Sequence, residues 1–219
     1  MATMGFVKHL ALLTSLCSLL TLSPAMAENA AAPATAATQA GNPAIGAPAP
    51  DFTLKDLDGK SVKLSDLKGK TVVLEWFNPD CPFVVYAHEK GPLKTLPEQY
   101  LKKGVVWLAI NSGAPGKQGH GAEANKAGKN RYGMTYQVLL DETGSVGKLY
   151  GAKTTPHMFV VDAQGMLRYK GGLDNAPLGE PNGGTLIPHA ANAIDALLGS
   201  KNVETSDTKP YGCGVKYGS

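Results

Sequence analysis

Along this 219-residue chain the apolar positions switch between a period of two and a period near 3.6, and the switches predict most of the elements. Residues 71–77, TVVLEWF, form a nearly continuous β-branched and aromatic run, and residues 105–111, VVWLAIN, form another. Each has the mark of a strand buried on both faces. Between residues 50 and 64 apolar and polar positions alternate around Asp58-Gly59, a hairpin signal, and Ser65-Asp66-Leu67 follow as a short turn ended by Gly69. Residues 82–89 carry a helical pattern with Pro82 at the first position, where its missing N–H costs nothing. Gly91-Pro92 interrupt it, and residues 93–103 resume it through Leu96, Tyr100 and Leu101.

A glycine-rich loop at 112–121 then leads into a polar helix at 122–132, a third strand at 137–141 and a short helix at 145–150 closed by Gly151. Residues 157–161 and 167–171 make a second hairpin across Asp162-Ala163-Gln164-Gly165, residues 186–198 the last helix, and residues 202–219 an irregular tail. Strands alternating with helices and finishing in a hairpin and a helix predict an α/β sandwich around a mixed sheet.

The N-terminus stands apart from this pattern. Lys8 and His9 precede an apolar stretch, 10–22, too short to span a bilayer, and Ala25-Met26-Ala27 supply the small-x-small site of a signal peptidase. Residues 1–27 are therefore read as a secretory signal peptide and residues 28–44, rich in Ala and Pro, as a disordered leader. The domain is placed at 45–200, and a tail at 201–219 carries the last cysteine. Export to the periplasm is expected, with no stable membrane insertion. The formal net charge is only +3 and the lysines are scattered, which excludes a nucleic-acid-binding patch.

Of three cysteines, Cys17 leaves with the signal peptide, so the mature chain has Cys81 and Cys213. Export permits them to form a disulfide, and two thiols are too few for a four-ligand structural zinc site. No cofactor is expected.

The segments "APAPDFTLKDLDGKSVKLSDLKGKTVVLEWFNPDCPF", "YGAKTTPHMFVVDAQGMLRYKGGLD" and "TKPYGCGVKY" resemble the redoxin branch of the thioredoxin superfamily, whose exported members are often grouped with peroxiredoxin-like proteins. The resemblance covers nearly all of the mature chain. It implies a thioredoxin-like three-layer sandwich, with a central mixed β-sheet flanked by helices and an N-terminal β-hairpin. Cys81, between a buried strand and a proline-led helix, sits where the helix dipole and free N–H groups lower a thiol pKa, the condition for nucleophilic exchange. Glu75, six residues earlier, stands at an offset where thioredoxin-like proteins often bury a carboxylate. Burial suits it to take or give a proton near the thiol. By the same resemblance Thr155-Pro156 is the cis-proline turn that faces the cysteine, and Thr155, Pro156 and Pro82 are the expected substrate-binding residues.

A Cys-x-x-Cys motif would place its second thiol at position 84, which is Val84. The intramolecular partner left for Cys81 is Cys213, flanked by Gly212 and Gly214, which allow close approach of another sulfur. His88, two helical turns beyond Cys81, and His157, next to Pro156, are candidates to stabilise a thiolate.

The chain departs from both neighbouring patterns. Peroxiredoxins have Thr or Ser three residues before the peroxidatic cysteine, where Asn78 stands here, and a proline further upstream, where Leu74 stands. The leading expectation is an exported thiol–disulfide oxidoreductase with Cys81 as nucleophile and Cys213 as distant resolving thiol. Its partner would be a protein or small-molecule disulfide or thiol, with an unidentified electron donor. The alternatives are a thiol peroxidase acting on peroxide, and a copper- or protein-binding module without turnover.

Overall fold

The computed structural model describes residues 41–218. The expected signal peptide and residues 28–40 of the expected leader lie outside the described residues. Seven strands form one mixed sheet in the order β2-β1-β5-β4-β3-β7-β8. Its parallel centre is β3 (Val72–Trp76), β4 (Val106–Asn111) and β5 (Gln137–Leu140), the first two matching the apolar runs that predicted them. The hairpin β1 (Thr53–Asp56) and β2 (Ser61–Lys63) joins one edge antiparallel through β1 and β5. Its turn works as the sequence suggests: the Asp56 carboxylate accepts the N–H groups of Asp58 and Lys60, and Gly59 takes φ 81°. The second hairpin, β7 (His157–Val161) and β8 (Leu167–Gly171), extends the other edge beyond β3.

Side chains alternate across β3 and divide the interior into two cores. Val73 and Phe77 face one side with Trp107, Val138, Met158 and Val160, covered by α1 (Pro82–Glu89), α2 (Leu96–Leu101) and α5 (His189–Leu198). Val72, Leu74 and Trp76 face the other with Ile110, Leu139 and Phe159, covered by α4 (Ser145–Tyr150) and by Phe52, Val62 and Leu64. The polar helix α3 (Gly121–Arg131) packs beside β5. This is the thioredoxin-like three-layer sandwich around a mixed sheet, as expected.

Three differences from the sequence reading have physical causes. The last helix begins at His189 rather than at residue 186, because Ile187 precedes Pro188 and is pushed out of the helical region. At the other end, Lys170 Nζ donates to Asn42 Oδ1 at 2.6 Å and to the Pro43 carbonyl at 3.1 Å, so residues 42–43, assigned to the leader, belong to the folded body. Finally, several residues of the tail between 206 and 217 pair with the folded body. Lys170 N–H donates to Ser206 O, Thr208 N–H to Lys170 O, and residues 213–214 form β9, antiparallel to the two-residue strand β6 (Thr154–Thr155).

Candidate active site

Cys81 stands where β3 has ended and α1 begins. The turn Asn78-Pro79-Asp80 closes with Cys81 N–H on the Asn78 carbonyl at 3.1 Å, and Cys81 caps α1 with Pro82 as the first helical residue. Its side chain is fully buried, and its thiol donates to the Thr155 carbonyl at 3.1 Å. Burial alone pushes this thiol up. Hydrogen bonds from the Cys213 thiol, the Thr155 side chain and the Val84 N–H outweigh it and hold Cys81 below its ordinary 9.0. Thr155 Oγ1 is, among the described residues, a buried polar atom without a partner while Cys81 is a thiol, and it becomes a donor to sulfur when the thiol ionises.

Cys213 arrives from the tail. In the β6–β9 pair Thr155 lies opposite Cys213 and Thr154 opposite Gly214, and since the Cys81 thiol meets the Thr155 carbonyl, this register brings Cys213 beside Cys81. Both cysteines are free thiols in this state. Burial first, then the hydrogen bond to Cys81 and its charge, push Cys213 up to about 11. The first negative charge of the pair therefore rests on Cys81, and Cys213 keeps its proton.

Several contacts hold the tail in this place. Tyr211 Oη donates to Asp174 Oδ1 at 2.6 Å, and the Tyr211 ring lies 6.1 Å from that of Phe83. Beyond Cys213, Val215 N–H donates to Lys153 O at 3.1 Å, Ala114 N–H to Lys216 O at 2.9 Å, and Tyr217 Oη to Ala152 O at 2.8 Å. The Tyr217 ring fills space above Gly144 and Gly147 that a β-carbon would take.

Glu75 is fully buried, as expected, on the face of β3 that also carries Val73 and Phe77. Its hydrogen bonds go elsewhere than to the thiol: His88 Nε2 lies 2.8 Å from Oε1, while Trp107 Nε1 and Tyr136 Oη donate to Oε2 at 2.9 and 3.2 Å. His88 is thus Glu75's partner, about 10 Å up the helix axis from Cys81. His157 is not brought to the thiol either. It shares the opposite face of the sheet with Phe159, whose ring is 4.5 Å away, and its Nδ1 accepts the Lys153 N–H at 3.2 Å. Burial, then the charges of Lys153 and Lys170, push His157 down to about 3, so it stays neutral.

Thr155 and Pro156 are buried beside Cys81, joined by the expected cis bond, and Pro82 is exposed at the start of α1. Asn78, at the position of the peroxiredoxin hydroxyl, is committed to the turn. Its Oδ1 accepts Asp80 N–H and its Nδ2 donates to Gln118 O, each at 3.1 Å. The sequence reading missed Tyr211 and Tyr217, although aromatic residues on both sides of a cysteine in a polar tail are a signal for docking. Among the described residues no group of three or more His, Cys, Asp or Glu side chains is placed to hold a metal ion, and no helix is long and apolar enough to cross a membrane.

The sequence profile of the AhpC/TSA family matches residues 45–170. The chain is 33% identical over 129 residues to the thiol-disulfide oxidoreductase ResA of Geobacillus thermodenitrificans, covering 57% of this chain and 67% of that protein. It is 32% identical over 131 residues to a chloroplastic peroxiredoxin Q of Triticum aestivum, covering 55% of each. Among solved structures, a hypothetical protein of Sinorhizobium meliloti superposes with a TM-score of 0.71 at 30% identity, over 82% of this chain and 98% of that one. An uncharacterized conserved protein of Geobacillus kaustophilus gives 0.72 at 31% identity, over 80% and 93%.

Proposed function

As a member of the AhpC/TSA family this chain is a thiol-dependent oxidoreductase, and we propose that it performs thiol–disulfide exchange through a reversible Cys81–Cys213 disulfide. The observation that carries the reading is the register that places Cys213 opposite Thr155, whose carbonyl accepts the Cys81 thiol proton, with Cys81 held low and Cys213 held high. The Cys81 thiolate attacks one sulfur of a substrate disulfide, whose other sulfur leaves as a thiolate and takes up a proton. Cys213 then gives up its proton and attacks Cys81 Sγ, and the substrate's second thiolate leaves. The products are a reduced substrate and the Cys81–Cys213 disulfide, which an external dithiol reduces.

Thr155 and the Val84 N–H stabilise the thiolate in this cycle, Pro82 and Pro156 frame it, and Glu75 exchanges protons at a distance through its buried network. The Ala25-Met26-Ala27 site supports an exported, periplasmic enzyme. The likeness to peroxiredoxin Q favours a second reading on the same residues. In it the Cys81 thiolate takes one peroxide oxygen to become a sulfenic acid, releasing hydroxide, and Cys213 condenses with it, releasing water.

The test is peptide mapping of the oxidised, non-reduced protein together with turnover of the two serine variants. Cys81→Ser is expected to be inactive. Cys213→Ser is expected to accumulate a mixed disulfide, or a sulfenic acid after peroxide, on Cys81. With a small alkylating reagent, Cys81 should titrate below 9.0 and Cys213 near about 11. Two free thiols in the oxidised digest, with wild-type turnover in Cys213→Ser, would overturn the paired mechanism. Faster reduction of a small-molecule disulfide such as cystine than of hydrogen peroxide selects exchange over peroxidation.

A further inference from the structure

The tail does more at this site than deliver a second thiol. Cys81 has no exposed surface, and β9 lays Cys213 opposite Thr155, whose carbonyl the Cys81 thiol meets. Any disulfide or peroxide that Cys81 attacks must bring its own electrophilic atom up to that sulfur. Thr155 supplies the carbonyl that accepts the thiol proton, and Cys81 lies in one core cluster with Phe77, Val84 and Ala87. An extended polypeptide would need, in addition, a backbone edge to lie along, and the edge nearest the thiol is β6, whose pairing is already taken by β9.

We infer that residues 211–217 are a resident strand in the substrate groove, and that by holding it they make the enzyme discriminate by size. Small oxidants reach Cys81 through a slight opening, whereas polypeptide disulfides react only when the whole strand lifts. The inference rests on the proposed reading of Cys81 as the reacting thiol.

The seat of the strand is narrow. Gly212 takes φ 136°, a conformation that side-chain-bearing residues rarely adopt, and a β-carbon there would run into the Thr155 carbonyl. Gly214, two residues on, has open space where its β-carbon would be. A β-carbon should therefore unseat the strand at Gly212 and leave it in place at Gly214. Tyr217 supplies a milder handle, because its hydroxyl bond to Ala152 O closes the far end of the docked segment.

The experiment labels the reduced full-length protein with iodoacetamide and, separately, with a polyethylene glycol maleimide, scoring the Cys81 peptide by mass spectrometry. The ratio of the two rates is normalised to the same ratio for a short unstructured cysteine peptide. In the wild type the bulky reagent should lag by about tenfold or more, as expected for a site reached through local opening. Gly212→Val should bring the ratio to that of the free peptide, Gly214→Ala should leave it at the wild-type value, and Tyr217→Phe should fall between.

A wild-type ratio equal to the free peptide's, or equal ratios in the Gly212→Val and Gly214→Ala proteins, overturns the inference. If Gly212→Val does not fold, Tyr217→Phe decides: a ratio unchanged from wild type overturns the resident strand. The labelling ratio is independent of turnover. Failure of the Cys81–Cys213 mechanism shows instead as two free thiols in the oxidised digest, so the two failures are distinguishable.

Discussion

Replacing Glu75 gives a direct reading of what the buried carboxylate does. In Glu75→Leu the acceptor disappears while His88 Nε2, Trp107 Nε1 and Tyr136 Oη remain in a site with no solvent exposure at Glu75. A buried donor left without its partner costs about 1–3 kcal/mol. Because the three donors share one carboxylate and relax together, about 3–5 kcal/mol is the expected total. For a domain of this size roughly 2–4 °C is lost per kcal/mol, so the melting temperature should fall by roughly 6–20 °C.

Glu75→Gln is the matched control. Its oxygen still accepts from Trp107 and Tyr136, and its amide donates to His88 in the opposite tautomer, for a cost of about 1 kcal/mol. Guanidinium unfolding of the reduced proteins, with the m-value held constant, measures both. A Leu variant within about 1 kcal/mol of wild type would refute the claim that these three bonds hold the core together. The Gln variant also isolates proton transfer: slower exchange near neutral pH in a stable protein supports it, and an unchanged pH–rate profile removes it.

Two further outcomes are expected. His157, buried and held near 3, must stay neutral in the fold, so the unfolded chain binds a proton below 6.5 that the folded chain refuses. Stability from this group is present above pH 6.5 and is lost as pH falls toward 3, at up to about 1.4 kcal/mol per pH unit; a His157→Gln protein with the same acid slope as wild type would contradict it. The second concerns oxidation, which closes a loop of well over a hundred residues between Cys81 and Cys213 and restricts mainly the unfolded chain, since the reduced fold already docks the tail. The oxidised protein should be more stable by about 4–5 kcal/mol in the chain-entropy account, and a gain below about 1 kcal/mol would mean that the tail is free when reduced.

The parts of this molecule that sequence reveals are those carried by local pattern. The runs 71–77 and 105–111 are apolar because β3 and β4 are covered on both faces, and Pro82 marks a helix start because its geometry suits no later position. The β6–β9 pair has no such signature, because two-residue strands cannot display a period. Glu75 was conspicuous in an apolar strand, yet its partners come from α1, β4 and the residue before β5. Nothing in the spacing of residues 75, 88, 107 and 136 announces that they meet. His157 shows the limit of adjacency: it neighbours Pro156 in sequence, but the alternation of β7 turns it to the other face of the sheet.

The absence of a second cysteine at position 84 acquires a physical meaning from this arrangement. Val84 is buried in the core with Ala87, one turn into α1 from Cys81. A thiol one turn along a helix is positioned by the helix itself, whereas Cys213 is positioned by tail contacts made far from α1, at Asp174, Lys153 and Ala152. In the proposed cycle the two half-reactions then fall on different sulfurs. Oxidant must meet Cys81, the thiol held low enough to attack. Reductant must attack Cys213 in the disulfide, because Cys213 keeps some exposure while Cys81 has none, and because Cys81 is the better leaving thiolate. Moving the partner from the helix to the tail thus lets the order of a few terminal residues decide when Cys81 can react, a control that a Cys-x-x-Cys helix lacks.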